Sequence, residues 1–502
     1  MALPEAPLVR QPGRLPAGRP VLAFLGAGHG ALPVDWLDAA AVRQRDAGLL
    51  GEAGMALSAV ADGDNGDRPV LFAALPENDD PQALRTRAAE AVALLTARGM
   101  TACTIVLPDI TKPRVQAIAE GVFSANYRFG SSGPARDPRR KLDGLDFMAA
   151  DEKGIVADGL HAGWLTSLAV LSARRLATEP ANELTPPAFV ERCRDLAGQA
   201  GFRLAVMGRK ELEAAGMGGL LTVAAGSRYE PFLVRMDWRP TEAPEDMRPL
   251  VLVGKTVTFD SGGISLKKAE DMDHMKADMG GGAAVFGAMV LAGKLRPSFP
   301  VTAIFAVVEN MPGPDAMRPS DVILMASGAT VEIINTDAEG RLILADALYV
   351  AAQLTPAAVI DLATLTGASL GIFGPIGTAT FANDDIWFER LARADKLAGE
   401  KIWRLPLWPE YRKFLESPVA DLRNFSTTGQ NGSTPVAAAF LSHFVGAHPW
   451  LHLDIYNTCW NRHDTPLMPQ GPTGSGSRVL AQLLLDLEGD TKSQDHNPGW
   501  PI

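Results

Sequence analysis

Two short segments hold most of the residue types that could do chemistry. The first, VLVGKTVTFDSGGISLKK over residues 251–268, carries Lys255, Asp260 and Lys267 along an apolar run and the Gly- and Ser-rich stretch after it. A little further on, KADMG places Asp278 just before a glycine-rich apolar stretch that reads as the start of a helix. The second segment, INTDAEGRL over residues 334–342, holds Asp337, Glu339 and Arg341. If the backbone is extended there, Asp337 and Glu339 fall on one face, because strand side chains alternate. Asp260, Asp278, Asp337 and Glu339 in one cleft would repel one another strongly. Divalent cations relieve such repulsion, and oxygen-rich ligation suits them. A lone Asp or Lys after a strand is usually a solvated loop residue. Their concentration in two segments is what points to a site.

The elements needed to position these residues follow from apolar runs and helical periodicity. Strands are expected at Val21–Leu25, Val70–Ala74 and Thr104–Leu107, with a helix over Pro81–Arg98, which describes a small α/β domain over residues 1–157. A helical pattern from Asp158 to Thr178 opens the second domain, residues 158–502. There helices are expected at Pro187–Ala200, Arg209–Ala215, Gly282–Leu295 and Leu342–Leu354. Strands are expected at Leu204–Met207, Leu250–Gly254, Val301–Val308, Val331–Thr336 and Ala358–Leu362. The fold class is therefore α/β in two domains, the larger with a mostly parallel central sheet. Carboxylates and lysines at strand ends and helix starts lie where such sheets bind ligands. A last helix is expected over Arg478–Leu487, the tail from Gly489 to Ile502 reads as loose, and Gly130–Lys141 reads as loop.

With these residues in view, the sequence resembles the leucyl aminopeptidase family of metallopeptidases, the cytosol aminopeptidases. NTDAEGRL (Asn335–Leu342) is similar to the family signature. The VGK and TFDSGGISLK runs within Val253–Lys267, KADMGG (Lys276–Gly281), EPAN (Glu179–Asn182) and DLATLTGA (Asp361–Ala368) also resemble it. The resemblance spans about Ser172 to Leu483. It implies a two-metal aminopeptidase that hydrolyses the N-terminal peptide bond of peptides with a free α-amine. It further implies that Lys255, Asp260, Asp278 and Glu339 hold one Mn²⁺ or Zn²⁺ ion. Asp260, Asp337, Glu339 and the Asp337 carbonyl would hold the other. Lys267 would polarise the scissile carbonyl, and Arg341 would hold a bicarbonate ion that serves as general base. Met275, Thr364 and Gly367 fall where the family lines its first side-chain pocket, and the Leu365 carbonyl where it receives the substrate amine, with Lys267 and Asp278 also facing substrate. The implied assembly is a homohexamer of two stacked trimers. After His452-Leu453-Asp454-Ile455 the family commonly has an Ala-Gly pair, whereas Tyr456-Asn457 stands here. That departure puts a preference for leucine in doubt and leaves the chemistry untouched.

Composition narrows the alternatives. The chain has 502 residues, a net charge of −11 and 47% apolar residues, which fits a soluble globular protein and argues against nucleic-acid or anionic-membrane partners. Its three cysteines, Cys103, Cys193 and Cys459, are far apart and form no CxxC pair, so they read as reduced thiols in a cytoplasmic protein. The longest apolar stretch beyond the N-terminal run Val21–Leu25 is expected to be Gly280–Gly293, shorter than the roughly 20 residues of a membrane span. Gly254-Lys255-Thr256 resembles the end of a P-loop, but Pro249 stands where its first glycine is required. Gly26–Ala31 fits a dinucleotide turn only loosely, because Pro33 breaks the helix start. No HExxH is present, and His274, the nearest of eight histidines, reads as a rim residue. A two-metal phosphoesterase would share the carboxylates without needing a lysine ligand. A DNA-binding role has only Arg136–Lys141 to support it.

Overall fold

The computed structural model describes residues 154–427 and 432–493 without a break. Before residue 154 it describes 8–10, 19–25, 54–61, 67–76, 80–108, 110–127, 144–149 and a few single positions. Gly26–Ala31, Gly130–Lys141 and residues 494–502 lie outside the described residues. The chain forms two compact units, Ala2–Leu168 with His463–Pro469, and Ala169–Arg462 with Gln470–Ile502.

The smaller unit is a six-stranded sheet. Its strands are β1 (Leu8–Arg10), β2 (Val21–Leu25), β3 (Met55–Ala61), β4 (Asp67–Ala74), β5 (Ala102–Val106) and β6 (Gly144–Met148), in the order β1-β6-β5-β2-β4-β3. All neighbours are parallel except β3 and β4. Strand β2 shows why its sequence is apolar throughout. Val21, Ala23 and Leu25 join one core cluster, while Leu22 and Phe24 join another, so both faces are covered. Helices α1 (Pro81–Ala97) and α2 (Lys112–Ala125) pack on one face, joined by a buried ion pair from Arg85 Nε to Glu120 at 2.6 Å.

Helix α3 (Ile155–Thr178) is long and apolar enough to span a membrane by length and composition, a property that the stretch Gly280–Gly293 had been expected to approach most closely. Its most apolar stretch is 72% buried within protein, which is the behaviour of a core helix.

The larger unit is built on eight strands: β7 (Arg203–Met207), β8 (Phe232–Trp238), β9 (Leu250–Asp260), β10 (Val301–Asn310), β13 (Ala358–Ala363), β14 (Thr378–Ala382), β15 (Ile402–Arg404) and β17 (Trp450–Asp454). The small strands β11 (Val322–Leu324), β12 (Thr330–Glu332) and β16 (Leu422–Arg423) form a separate sheet. The order in the large sheet is β15-β14-β17-β13-β9-β10-β8-β7. Its centre, β17-β13-β9-β10, is wholly parallel, and antiparallel pairs occur only toward the edges. Each central strand is preceded by a proline: Pro249, Pro300, Pro356 and Pro449. The carbonyls of Pro300, Pro249 and Pro449 accept from Leu250, Ala357 and Val359, while proline has no N–H to extend the ladder.

Several boundaries differ from expectation. Strand β9 continues past Gly254 to Asp260, because its β-branched Thr256 and Val257 pair with β10 and, after a register shift, Asp260 pairs with Asn310. The expected strand Val331–Thr336 is only β12, Thr330–Glu332; residues 334–338 form a turn. The last helix runs over Ser477–Ser493, so residues 489–493 are helical rather than loose.

One face of the sheet is covered by helices α4 (Pro186–Ala200) and α5 (Gly280–Leu295), with Phe189 edge-on to Phe286. A Cβ on Gly281 would lie 1.9 Å from the Leu362 carbonyl oxygen, so only glycine allows α5 to approach the strand ends so closely. The other face is covered by α6 (Gly340–Ala352) and α9 (Ser433–Ser442). Their Leu342, Ile343, Val436 and Phe440 pack with Val251, Val253 and Ile304. Helices α7 (Ser369–Phe373) and α8 (Asp385–Ala398) lie between them in sequence.

Candidate metal centre

Strand β9 delivers two groups to the carboxyl edge of the sheet. Lys255 projects from within the strand, and Asp260 is its last residue. Lys255 Nζ lies 2.8 Å from Asp278 Oδ2 and 2.9 Å from Glu339 Oε1, and donates to the Thr364 carbonyl at 2.8 Å. Asp278 is held just before α5, where its Oδ1 also accepts from the Thr364 hydroxyl at 2.8 Å. Asp260 Oδ1 accepts from the Gly262 amide at 2.9 Å and from Asn310 Nδ2 at 2.8 Å. Gly262, at φ +85°, turns the chain so that Lys267 returns over the cluster. Lys267 Nζ then pairs with Asp260 Oδ2 at 2.8 Å and with Asp337 Oδ1.

Asp337 and Glu339 reach the site from a turn. The Asn335 side chain accepts the Asp337 amide at 2.9 Å, closing a local side-chain turn that competes with extended backbone. From one side Asn310 Nδ2 donates to the Thr336 carbonyl at 3.1 Å. From the other, Asn424 accepts from Ile334 N at 2.7 Å and donates to the carbonyl of Asn335 at 2.8 Å. The outcome is convergence: Asp260, Asp337 and Glu339 each place one oxygen within 4.8 Å of the others. Asp278 joins them through Lys255.

Charge is balanced locally. Burial opposes the charge on Lys255 and Lys267, but the surrounding carboxylates, led by Asp278 for Lys255 and by Asp260 for Lys267, outweigh it and hold both amines above the usual lysine range. Burial pushes the Asp278 carboxyl well above its ordinary value against the pull of Lys255. Burial and the neighbouring Asp260 charge push Asp337 up to about 6, with Lys267 opposing. Asp278 Oδ2 and Asp337 Oδ1 are buried oxygens whose close partner is a lysine ammonium. Oxygens in that condition suit a cation donor set.

Arg341, in the first turn of α6, is buried and donates from Nη1 to the Asn424 carbonyl at 2.9 Å. Its guanidinium carbon lies 5.6 Å from the Phe425 ring centre, and its Nε has no hydrogen-bond partner. Burial lowers its pKa to about 10, with Glu339 and Asp454 opposing.

The residues expected to face substrate surround this centre. Thr364, Leu365 and Gly367 lie in the loop that leaves β13. Met275 is half-buried, and its carbonyl accepts the Asp278 amide at 3.2 Å. The Tyr456 ring stands 3.7 Å from where a Cβ on Gly367 would be. His274 stacks on Trp460 at 3.9 Å between ring centres and lies outside the carboxylate cluster. The fully buried Asp361–His452 pair, at 2.6 Å, lies in the sheet behind the site. Asn310, Asn424 and this pair were not anticipated. A polar residue ending an apolar strand (Asn310) was the only available signal.

A family model described as the cytosol aminopeptidase family, catalytic domain, matches residues 171–481. A probable cytosol aminopeptidase of Syntrophotalea carbinolica is 46% identical over 374 residues, 74% of each chain. One from Roseiflexus castenholzii is 42% identical over 84% of this chain and 87% of its own. The solved structure of the bottromycin maturation enzyme BotP in complex with Mn superposes with a TM-score of 0.80. That chain is 33% identical, and the match covers 94% of this chain and 100% of BotP.

Proposed function

The chain belongs to the cytosol aminopeptidase family, and on that premise we propose that it releases N-terminal residues from peptides with a free α-amine by two-metal hydrolysis in which Lys267 and Arg341 take part. It is a metallo-exopeptidase of the cytoplasm. The observation that carries the finer reading is the convergence of Asp260, Asp337 and Glu339 beside the Lys255–Asp278 pair.

Lys255, Asp260, Asp278 and Glu339 would hold one Mn²⁺ or Zn²⁺ ion. Asp260, Asp337, Glu339 and the Asp337 carbonyl would hold the second, with Asp260 and Glu339 shared. When bound, the cations supply Lewis acidity and acidify water, and a bicarbonate supplies a general base. Lys255 would ligate as a neutral amine, because a dication beside the surrounding carboxylates would favour loss of its proton. Lys267 keeps its proton and donates to the scissile carbonyl oxygen as negative charge develops there. Arg341 would hold the planar bicarbonate, and its unpartnered Nε is a donor suited to that anion. The Leu365 carbonyl receives the substrate α-amine beside Asp278. Met275, Thr364 and Gly367 bound the first side chain, and Tyr456 narrows that space. Self-association as a homohexamer completes the reading.

The test is an activity panel on protein stripped with a chelator. Aminoacyl p-nitroanilides should become inert and recover with Mn²⁺, Zn²⁺ or Co²⁺. N-acetylated substrates should stay uncleaved. Full activity without metal, or faster cleavage of a phosphoester than of the aminoacyl substrate, would overturn the proposal.

A further inference from the structure

The segment that follows strand β17 sets one ring against the stretch between β13 and β14. Tyr456 is the second residue past Asp454, and its backbone is held on both sides. Its amide donates to Asp454 Oδ1 at 3.2 Å, and its carbonyl accepts from Cys459 Sγ at 3.0 Å. The next residue, Asn457, is buried and straps the neighbouring stretch, donating from Nδ2 to the carbonyls of Gly374 and Gly377, each at 2.6 Å. The Tyr456 side chain thus leaves from a fixed backbone, and its tip meets Gly367. Its Cε1, Cζ and Oη stand 3.7, 3.8 and 3.9 Å from where a Cβ on Gly367 would be. An alanine and a glycine at 456 and 457 would supply neither the ring nor the strap.

The ring is half-buried, yet among the described residues its hydroxyl makes no hydrogen bond. A phenol inside a protein usually finds a partner, because its body is apolar and its O–H is not. Here its surroundings are the charged centre. Burial, and then Cys459, push the hydroxyl above its usual range, Lys267 pulls the other way, and Asp278 and Asp337 add to the push. At neutral pH the group is therefore a protonated donor that lacks an acceptor. Lys267 and Asp337 pair with each other, and Asp278 pairs with Lys255. A hydroxyl that senses all three charges faces the cleft where the reading above puts the scissile bond. A wall for the first side chain needs only the ring, and phenylalanine would make that wall without an O–H to satisfy.

We propose that the Tyr456 hydroxyl is a second donor to the scissile carbonyl oxygen, acting together with Lys267 as that oxygen becomes negative. The proposal deepens the function given above and rests on its assignment of Lys267. Tyr456 keeps its proton throughout and forms no bond to carbon. Because its backbone is already fixed, its dipole needs little reorganisation when the charge develops.

The test uses the full-length protein loaded with Mn²⁺. Tyr456→Phe removes the hydroxyl and keeps the ring on Gly367. It should lower kcat for alanyl p-nitroanilide by about ten- to a hundredfold, as loss of a hydrogen bond to a charged group typically does, with KM within about threefold. Affinity for an α-aminophosphonate, whose tetrahedral oxygens stand in for the oxyanion, should weaken by a similar factor. Bound Mn²⁺ and the leucyl-to-alanyl ratio should not change. Tyr456→Met also lacks a hydroxyl and fills the space with a flexible side chain, so it gives the same answer if the phenylalanine does not fold. Unchanged kcat and inhibitor affinity would leave Tyr456 as a wall only and overturn the proposal. A loss confined to substrates with a polar first side chain, or a loss of Mn²⁺, would overturn it too. Lys267→Ala separates this inference from the reading beneath it. If Lys267→Ala leaves kcat intact, the assignment of Lys267 fails, and this inference with it. If Lys267→Ala lowers kcat and Tyr456→Phe does not, only the role of Tyr456 fails.

Discussion

The two ends of the carboxylate cluster are made of different material. Around Lys255, the side chains of Lys255, Asp278 and Glu339 are 3%, 5% and 2% exposed, and they come from a central strand and two helix starts. Around Lys267, that side chain and Asp337 are 22% and 32% exposed, and they come from a loop and a turn. The same pairing of lysine with carboxylate thus sits once on a rigid floor and once at an open mouth. A buried floor fixes ligands in place, whereas a partly open mouth lets a charged group meet an incoming molecule. On the proposed reading, identical residue types would carry different work according to what holds them.

The strongest way to break this comparison is to remove the group that joins both ends. Glu339 contacts Lys255 and also lies with Asp260 and Asp337. Glu339→Gln should lower kcat by more than the roughly 10²–10³-fold typical of losing one oxyanion donor, and should reduce the metal count. Two ions retained at full occupancy, measured by elemental analysis, would show that Glu339 is not shared.

The two lysines should then separate. Lys267→Ala is expected to lower kcat by about 10²–10³-fold with metal content nearly intact. Lys255→Ala should instead deplete one metal and destabilise the metal-free protein by about 3–5 kcal/mol, because buried Asp278 and Glu339 lose their cation. Paired metal analysis, kinetics and denaturant melts would decide it, and the reverse pattern would exchange floor and mouth.

A smaller effect belongs to the mouth alone. Tyr456→Ala opens space next to Gly367, so the ratio of kcat/KM for leucyl over alanyl p-nitroanilide should rise by roughly tenfold. An unchanged ratio would remove Tyr456 from the pocket.

The smallest expected effect concerns the scaffold beneath both ends. Burial pushes Asp346 and Glu400 up to about 7, against the backbone amides of Ala326 and Leu220 on Asp346 and against Arg478 for Glu400. The folded chain therefore binds more protons than the unfolded chain between the ordinary carboxylate range and about 7. The stability these groups contribute is present at low pH and is lost as pH rises through about 7. Thermal melts of the metal-free protein should fall by a few degrees over that interval, and Asp346→Asn should flatten the slope.

Much of this was legible in the sequence for a physical reason. Central strands such as Val21–Leu25 and Val301–Asn310 are covered on both faces and so read as unbroken apolar runs. Edge strands such as Met55–Ala61 carry weaker patterns and were not anticipated, and neither was the central strand Trp450–Asp454, whose apolar run is interrupted by His452 and Asp454. The parallel sheet could be inferred from alternating elements, but not the pairing of β13 with β17, which brings residues about ninety positions apart into register. In the site, the carboxylates and lysines were evident because their types are unusual in apolar surroundings. The turn at Asn335–Ala338 was misread as a strand, since the apolar Val331–Ile334 precedes it and the deciding interaction is one side chain closing on a nearby amide. Asn424 holds that turn from a distant loop, and nothing local marks it.

The prolines ahead of the four central strands give the sheet a zero mark. Register is counted from Pro249, Pro300, Pro356 and Pro449, where the ladder can extend no further back, toward the edge where Lys255, Asp260 and Asp454 stand. Removing one residue between Pro249 and Lys255 would turn the lysine to the opposite face of the sheet, since pleat and side chain alternate together. Additions just beyond Asp260 or Ala363 would leave that count intact but would carry Lys267 or the Thr364 carbonyl away from the partners they hold. Length is thus constrained on both sides of the strand ends: before them it decides which face a side chain occupies, and just beyond them it decides whether Lys267 and Thr364 still reach their partners.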